Sequence, residues 1–233
     1  KFWKLTTKKI YMMTCPTIEL KSKLIKSNIF NNSKIKFLPD AIIDMKDFLF
    51  KKNENIELPT KKKFILSVGR LTKQKNYQYL LSEIYDFLKI NSDYDLILLG
   101  EGEERKILSK IISDMNMLNR IFLVGHKKNQ YLYMKKASAF ILSSLWEEVG
   151  FVIVESALSN LLVFSSDCPN GPKEFLANGE AGILFDSNKK NALKNSIEKI
   201  KDDNFKKKVL AKKNCLKYTK FRHFKCFKEI LEI

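Results

Sequence analysis

The sequence predicts an α/β fold in which a parallel β-sheet is covered by helices on both faces. Short apolar runs of strand length alternate with longer segments whose apolar residues recur at helical spacing. Several of these runs end in glycine or in small polar residues, which mark the passage from a strand into a loop. Repeated alternation of this kind implies right-handed crossovers and therefore parallel strands. In such sheets ligands bind beyond the carboxyl ends of the strands, so the loops that follow strands contain the candidate site residues.

The first part of the chain has a strand–helix–strand pattern. Residues 8–14 are predicted as a short buried strand, residues 18–29 as a helix and residues 35–38 as a second strand. Residues 46–62 are polar, rich in lysine and without sustained periodicity. We predict that they form a linker, in which Phe48, Leu49 and Phe50 still offer a packing contact to one of the flanking units.

From residue 63 onward the alternation is regular. The predicted strands are 64–68, 94–99, 121–124, 139–142, 161–165 and 182–185. The predicted helices are 77–90, 103–115, 130–137, 152–159 and 173–177. The tail, residues 192–200 and 205–233, is also predicted to be helical. It contains an apolar stripe that we expect to pack against the rest of the fold, made of Phe221, Phe224, Phe227, Ile230 and Leu231.

The composition limits the class of protein. A length of 233 residues with 45% apolar residues supplies the core of one large or two small domains. The apolar runs are far shorter than the ~20 residues that cross a bilayer. The four cysteines are neither spaced for zinc nor dense enough for a disulfide scaffold, which favours a reducing cytoplasm. The chain lacks an initiator methionine, and residues 1–5 lead into charged residues, which predicts a fragment without a signal peptide.

The formal net charge of +17 suggests an anionic partner. Nucleic acid is disfavoured, because only four of the 43 basic residues are arginine, on which readers of bases and phosphates depend. Lysine, asparagine and isoleucine are abundant together, so much of the charge is read as compositional bias. An anionic membrane surface and anionic substrates remain open as partners.

Residues 69–75 place Gly69, Arg70 and Lys75 after one predicted strand and before the next helix. Free backbone N–H groups and the helix dipole favour an anion at such a position. Arg70 has the geometry for a bidentate phosphate contact, whereas Lys75 supplies a point charge that can stabilise a leaving group. A diphosphate site and a solvated lysine-rich loop are both compatible with this motif.

Two glycine turns follow the next strands. Gly100 and Gly102 form a G-x-G turn, which permits a ligand to approach the backbone but lacks the third glycine of a dinucleotide fingerprint. A tight strand-to-helix turn is the simpler interpretation. Gly125 and His126 follow the third strand of this series, and such a histidine is more often a satisfied polar residue than a catalyst.

Glu147 and Glu155 lie on either side of a glycine turn, the first in the loop after a strand and the second about one turn inside the following helix. Carboxylates accept hydrogen bonds from pairs of hydroxyls, so both glutamates are candidates for holding a sugar. The backbone N–H groups of Gly150, Phe151 and Val152 are candidates for meeting a phosphate at the helix start.

Asn170, Gly171 and Glu174 open a further helix at a strand end. Gly171 gives access to the backbone, and Glu174 lies in the first helical turn, where a carboxylate is favourable. A structural turn and a ligand loop are equally compatible with this pattern. No arrangement of serine or cysteine with histidine indicates a nucleophilic catalyst.

Four stretches of the chain resemble, in this order, the C-terminal domain of family-four retaining glycosyltransferases. They are SVGRLTKQK at residues 67–75, LGEGEER at 99–105, the paired glutamates at 147–155 and SDCPNGPKE at 166–174. The family has the two-domain GT-B fold and builds bacterial surface polysaccharides. The resemblance is good over residues 64–187. The sequence departs from the usual E-G-F-G, which here reads EEVG from Glu147 onward, and has Asn76 in place of a frequent glycine.

The resemblance implies a role for each matching residue. It assigns Arg70 and Lys75 to the donor diphosphate, Glu147 to the donor sugar and Glu155 to the nucleotide ribose. The base is expected near Gly125 and His126. We therefore predict Arg70, Lys75 and Glu147 as the catalytic residues. The implied reaction moves a hexose from a nucleotide-diphosphate sugar to an acceptor hydroxyl with retention at the anomeric carbon. No metal and no cofactor are expected, since the cations replace a divalent ion.

The resemblance also implies domains and partners. Residues 1–45 are the truncated end of an N-terminal acceptor-side domain, 46–62 the linker, 63–200 a Rossmann-like domain for the nucleotide sugar, and 201–233 helices that pack back across the domains. A saccharide or lipid-linked saccharide acceptor belongs mainly to the N-terminal domain, so this chain alone is expected to bind nucleotide and transfer little. Cytoplasmic location with peripheral contact to the anionic inner membrane is expected. The alternatives are an inactive nucleotide-binding remnant and a basic nucleic-acid-binding module.

Overall fold

The computed structural model describes residues 9–51 and 56–231. In this part of the chain strands and helices alternate, and the strands form two parallel sheets. None of the helices among these residues is long and apolar enough to cross a membrane. Parts of four predictions fall on residues outside this description. They are the start of the N-terminal remnant and of the first strand (1–8), the middle of the linker (52–55) and the end of the helical tail (232–233).

The smaller sheet pairs β1 (Met13–Cys15) with β2 (Ile35–Phe37), and helix α1 (Ile18–Lys26) joins them. The side chain of Thr17 caps this helix by accepting a backbone N–H bond at 3.1 Å. The prediction of a first strand over residues 8–14 is wrong in its extent. Pairing covers only three residues and ends one residue later than predicted, because β2 is equally short.

Helix α2 (Met45–Lys51) lies inside the stretch predicted as a linker, so part of that stretch is helical rather than irregular. The carboxylate of Asp44 accepts bonds from two backbone N–H groups of the first turn, at 2.9 and 3.2 Å, and thereby caps the helix. Phe48 is buried and its ring meets that of Tyr131 edge-on, with 5.0 Å between the ring centres. The contact ties this segment to the main domain, while the proposed division into domains stays a prediction.

The main sheet contains six strands, and all of its neighbouring pairs are parallel, which confirms the predicted fold class. The strands are β3 (Lys63–Val68), β4 (Tyr94–Leu99), β5 (Ile121–Gly125), β6 (Ala139–Leu142), β7 (Leu162–Ser166) and β8 (Ile183–Phe185). Their spatial order is β5–β4–β3–β6–β7–β8. The chain thus runs outward from β3 to β5 and then returns to the other side of β3. Such a switch of direction between β3 and β6 opens a crevice at the carboxyl ends of the strands.

Helices lie on both faces of this sheet. Along β3, Phe64 and Leu66 belong to one apolar core and Ile65 to the other, as expected when successive side chains point to opposite faces. The helices that follow the strands are α3 (Tyr77–Ile90), α4 (Arg105–Asp114), α5 (Tyr131–Lys136), α6 (Phe151–Leu158), α7 (Gly171–Phe175) and α8 (Ala192–Ile197). Fully buried strands explain the continuous apolar runs in the sequence.

Two further helices, α9 (Phe205–Cys215) and α10 (Lys220–Leu231), end the described chain. Helix α9 packs against α6 and buries Ala211 and Cys215. The expectation that the apolar stripe of the tail packs against the fold is wrong. No described residue of α10 is buried, and Phe221 and Phe224 are 78% and 57% exposed.

Candidate functional site

Two pockets lie side by side where the strand order reverses. The His126 pocket has a volume of about 330 Å³ and is lined mainly by residues that follow β3, β4 and β5. The Glu147 pocket has a volume of about 350 Å³ and is lined mainly by residues that follow β3 and β6. Gly69, Arg70 and Val152 line both pockets, so the two adjoin along the loop after β3.

The loop after β3 is held tightly against the end of β4. The backbone N–H of Gly69 donates to the carbonyl of Leu99 at 3.0 Å. Gly100 has a φ of +146°, and a Cβ at this position would lie 1.9 Å from the carbonyl oxygen of Gly69. Only glycine permits this approach. Gly100 therefore serves the tight turn at the end of β4, as the simpler interpretation of the sequence predicted. It also lines the His126 pocket.

Arg70 is exposed at the junction of the two pockets. Its guanidinium makes no hydrogen bond or ion pair with any residue in the part of the chain that the structure describes. Its positive charge is therefore available to an anion in either pocket, and its planar group suits the two oxygens of a phosphate or carboxylate.

Lys75 and Glu147 form an ion pair in the second pocket, with side chains that are only 13% and 9% exposed. The hydroxyl of Ser144 donates to the same carboxylate oxygen, Oε1, at 2.6 Å. Within the described chain the other oxygen, Oε2, has no partner. The ion pair thus fixes the carboxylate and leaves one of its oxygens for another donor.

Three hydrogen bonds hold the loop that follows β6 against residues 73–75. The hydroxyl of Ser143 donates to the carbonyl of Lys75 at 2.7 Å. The backbone N–H of residue 145 donates to the carbonyl of Gln74 at 2.8 Å, and the Gln74 amide donates to the carbonyl of Trp146 at 2.8 Å. The motif at residues 69–75 and the loop that leads to Glu147, far apart in sequence, consequently form one rigid wall of the Glu147 pocket.

Helix α6 begins at this wall. Gly150 precedes it with a φ of +75°, a left-handed conformation that favours glycine. The first backbone N–H groups of a helix have no partner within it, and those of Phe151 and Val152 are at this end. Both residues line the Glu147 pocket, so the helix start offers free donors to an anion there.

Glu155 lies behind the residues that line the His126 pocket. Its carboxylate accepts hydrogen bonds from the side-chain amide of Gln130 and, at 3.2 Å, from the hydroxyl of Tyr131. Burial raises the pKa of this carboxyl to about 7, against the lowering effect of these bonds. Gln130 itself lines the His126 pocket. Glu155 is therefore connected to that pocket through one intervening side chain.

The loop after β7 joins this site to the first helix. Asn170 has φ +78° and ψ −122°, a conformation almost confined to glycine. Its side-chain amide donates to the carbonyl of Glu147 at 3.0 Å, and its backbone N–H donates to the carboxylate of Glu19 at 2.8 Å. The carboxylate of Glu174 accepts hydrogen bonds from the backbone N–H groups of Ile18 and Glu19 at 2.8 and 3.3 Å. It thus caps the first helix and does not face either pocket.

Three predicted glycines have structural surroundings and line neither pocket. A Cβ on Gly102 would lie 2.3 Å from the carbonyl oxygen of Leu71, and one on Gly171 would lie 2.2 Å from that of Val149. Gly125 ends β5 directly before His126. Gly102 and Gly171 thus require glycine for close packing between loops, and Gly125 has a φ of +82°, which favours glycine. A sequence pattern cannot separate either reason from access for a ligand.

Some residues of the cleft were not singled out by the sequence analysis. Gln130 and Lys127 line the His126 pocket, and Gln74 lines the Glu147 pocket. Each is polar and lies within a few residues of a predicted strand end or helix start, which is the signal that could have identified it. In the ranges described, no three His, Cys, Asp or Glu side chains group in a way that could hold a metal ion.

The chain matches known proteins over most of its length. Residues 50–217 match the family model described as glycosyl transferases group 1. An uncharacterized glycosyltransferase of Methanocaldococcus jannaschii is 32% identical over 173 residues, which are 72% of this chain and 39% of that protein. The N-acetylgalactosamine-N,N'-diacetylbacillosaminyl-diphospho-undecaprenol 4-alpha-N-acetylgalactosaminyltransferase of Campylobacter jejuni is 30% identical over 190 residues, 82% of this chain and 50% of that enzyme. The chain thus spans half or less of the length of these two relatives.

Solved structures agree with the fold. A glycosyltransferase from Rickettsia africae matches 99% of this chain and 67% of its own, with a TM-score of 0.82 and 18% identity. The Anabaena protein HepE, in complex with UDP and glucose, matches 98% of this chain and 64% of its own, with a TM-score of 0.78 and 17% identity. These matches show a fold of the GT-B type. Since the family model covers well over half of its residues, the chain belongs to the group 1 glycosyl transferases.

Proposed function

We propose that the chain binds a nucleotide-diphosphate sugar across the two pockets and serves a retaining hexosyltransferase of family four. The observation that carries this proposal is that Arg70, with a guanidinium unengaged by the described residues, lines both pockets. Such a cleft suits a ligand with two uncharged ends and an anionic centre. The nucleoside then occupies the His126 pocket, the diphosphate lies at Arg70, and the sugar occupies the Glu147 pocket.

The surroundings of each pocket support this orientation. In the Glu147 pocket, Oε2 of Glu147 can accept a bond from a sugar hydroxyl while Lys75 and Ser144 hold Oε1. The N–H groups at the start of α6 suit a phosphate oxygen. On the nucleoside side, Gln130 and the carboxylate of Glu155 behind it suit the ribose hydroxyls.

In the proposed reaction the bond from the anomeric carbon to the diphosphate breaks, and a bond to the acceptor oxygen forms on the same face of the sugar. The leaving diphosphate takes the acceptor proton. Arg70 and Lys75 stabilise the negative charge that develops on it, so neither a protein nucleophile nor a metal is needed in this scheme. Because Lys75 is paired with Glu147, its positive charge is already balanced. Arg70 is therefore the main uncompensated positive charge at the diphosphate.

The acceptor in this proposal is a saccharide or a lipid-linked saccharide at the cytoplasmic surface of an anionic inner membrane. The Campylobacter relative is named for a saccharide on diphospho-undecaprenol, a lipid-linked acceptor of that enzyme. Because this chain spans about half of that relative, we propose that a preceding domain holds most acceptor contacts. The 233 residues alone should then bind nucleotide sugar and transfer little.

The test is thermal stabilisation of the chain by a panel of nucleoside diphosphates and their sugars, since a ligand that binds only the folded state raises the melting temperature. Arg70→Ala should weaken binding of the best ligand about 10- to 100-fold, because a hydrogen bond to a charged group contributes about 1.5–3 kcal/mol. Lys73→Ala is the matched control. It removes a lysine from the same loop that lines neither pocket, and it should leave affinity unchanged.

Two outcomes contradict the proposal. One is a chain that no nucleotide or nucleotide sugar stabilises, or whose affinity is the same in the Arg70 and Lys73 variants. The other is salt-sensitive binding to DNA or RNA that is indifferent to Arg70 and Glu147, which indicates a nucleic-acid-binding module. Substantial turnover by the isolated chain would contradict the assignment of the acceptor site to a preceding domain.

A further inference from the structure

Glu148 lies next to the ion pair of the Glu147 pocket without being part of it. It is exposed and lines this pocket, as Lys75 and Glu147 do. Its carboxylate accepts no hydrogen bond and forms no ion pair within the part of the chain that the structure describes. The negative charge of Glu148 is therefore available to a group that enters the pocket.

The backbone holds Glu148 in place. Its carbonyl accepts a hydrogen bond from the backbone N–H of Gly171 at 2.8 Å, and the carbonyl of Glu147 accepts one from the Asn170 amide at 3.0 Å. The next residue, Val149, is buried, and a Cβ on Gly171 would lie 2.2 Å from its carbonyl oxygen. These contacts fix the point from which the Glu148 side chain starts, so its carboxylate stays within a side-chain length of the pocket wall.

Among the described residues, neither cation that lines this pocket balances Glu148. Lys75 is paired with Glu147, and Arg70 lies at the junction with the other pocket, where the diphosphate is proposed to lie. Asp40 adds a second negative charge nearby, since burial and the charge of Glu148 together raise the pKa of the Asp40 carboxyl. The sugar end of the cleft therefore has an excess of negative charge, whereas the diphosphate end is positive.

We propose that Glu148 is a specificity-determining residue, through which the Glu147 pocket selects a hexose without an acidic group and disfavours a uronic acid. This inference deepens the proposed function, on which it rests for the presence of a sugar in this pocket. Carboxylate oxygens only accept hydrogen bonds, so Glu148 suits a hydroxyl or an amino group of the sugar. The carboxylate of a uronic acid would bring a like charge to the same place, with no free cation to balance it.

The experiment compares the dissociation constants of two pairs of ligands by titration calorimetry. The pairs are UDP-glucose with UDP-glucuronate and GDP-mannose with GDP-mannuronate. The members of a pair differ only in whether C6 is a hydroxymethyl group or a carboxylate, so contacts with the nucleoside and the diphosphate cancel in the ratio.

We expect the parent chain to bind the neutral sugar about tenfold more tightly than the uronate, in the pair whose base it accepts. Two like charges within a few ångströms of each other near a protein surface change an equilibrium constant by about that factor. The ratio should fall at high salt, because salt screens exposed charges.

Glu148→Gln should bind the uronate about tenfold more tightly than the parent does, since the repulsion is removed. Its affinity for the neutral sugar should stay within about threefold, because glutamine keeps an acceptor for a hydroxyl. Glu148→Lys should reverse the preference. Glu103→Gln is the matched control, since Glu103 is an exposed glutamate that lines neither pocket, and this variant should keep the parental ratio.

The inference is overturned if the parent binds both members of each pair equally or binds neither. It is also overturned if Glu148→Gln leaves the ratio unchanged, or if Glu103→Gln lowers it as much. UDP and GDP alone separate these failures from failure of the proposed function, because neither contains a sugar. If UDP or GDP binds and depends on Arg70 while the sugars are not discriminated, the role of Glu148 alone fails. If none of the six ligands binds, the proposed function fails with it.

Discussion

We expect Glu155 to make the folded chain less stable as pH rises from about 4.5 to about 7. Burial raises the pKa of its carboxyl from the ordinary 4.5 to about 7. The unfolded chain therefore loses this proton at lower pH than the folded chain, and the folded state binds more protons in between. The contribution of the protonated Glu155 carboxyl to the free energy of unfolding is fully present below about pH 4.5. It is lost as pH rises to about 7, where the folded carboxyl ionises. At about 1.4 kcal/mol for each pH unit between the two pKa values, the loss is about 3 kcal/mol.

The assay is urea unfolding at a series of pH values across this interval, with the free energy of unfolding measured for parent and variants. Glu155→Gln keeps the size of the side chain and an acceptor for Tyr131 but cannot ionise, so its stability should lack this decrease. Glu180→Gln, at an exposed carboxylate, is the control and should follow the parent. A Glu155→Gln chain that loses stability with pH as steeply as the parent would refute the assignment.

Two further predictions concern the framework of the cleft, both measured as free energies of unfolding. Gly100→Ala should cost about 3 kcal/mol or more, because its Cβ would lie 1.9 Å from a backbone oxygen, whereas Gly179→Ala, with φ +99° and open space around it, should cost about 1–2 kcal/mol. Equal costs for Gly100→Ala and Gly179→Ala would show that the loop after β3 can move away from Gly100. Asp95→Ala should cost about 3–5 kcal/mol, because the buried Asp95 carboxylate pairs with Arg120 at 2.6 Å. Asp93→Ala breaks only the exposed pair with Lys63 and should cost less than about 1 kcal/mol. Similar values for both aspartates would contradict the importance of burial.

Much of the fold could be predicted because the strands of the main sheet are buried on both faces. Such strands appear as continuous apolar runs, and the helices between them repeat apolar residues at helical spacing, so their positions agree with the structure to within a few residues. The helix Met45–Lys51 was not predicted, because it lies in a lysine-rich stretch whose apolar residues show no sustained periodicity. Its signal was the cap at Asp44, whose carboxylate accepts two bonds of the first turn.

The site was predictable to the extent that it depends on where strands end. The rule that ligands bind beyond strand ends indicated Arg70 and Glu147, and the structure brings both to one cleft. The rule does not describe contacts between side chains from different helices. The bonds from Gln130 and Tyr131 to Glu155 arise because α5 packs beside α6, which no local pattern contains. The exposure of Phe221 has the same cause, since periodicity identifies an apolar face but not whether the fold covers it.

The shape of the Glu147 pocket depends on residues that precede the main sheet. Asn170 keeps its unusual backbone conformation only because its surroundings determine it. Its amide holds the carbonyl of Glu147, while the first helix holds Asn170 itself, through the carboxylate of Glu19 at 2.8 Å and the ammonium of Lys23 at 3.0 Å. A displacement of helix α1 would therefore move the backbone that presents the Glu147 carboxylate. The first strand–helix–strand unit is therefore one of the supports of the loop that presents the Glu147 carboxylate.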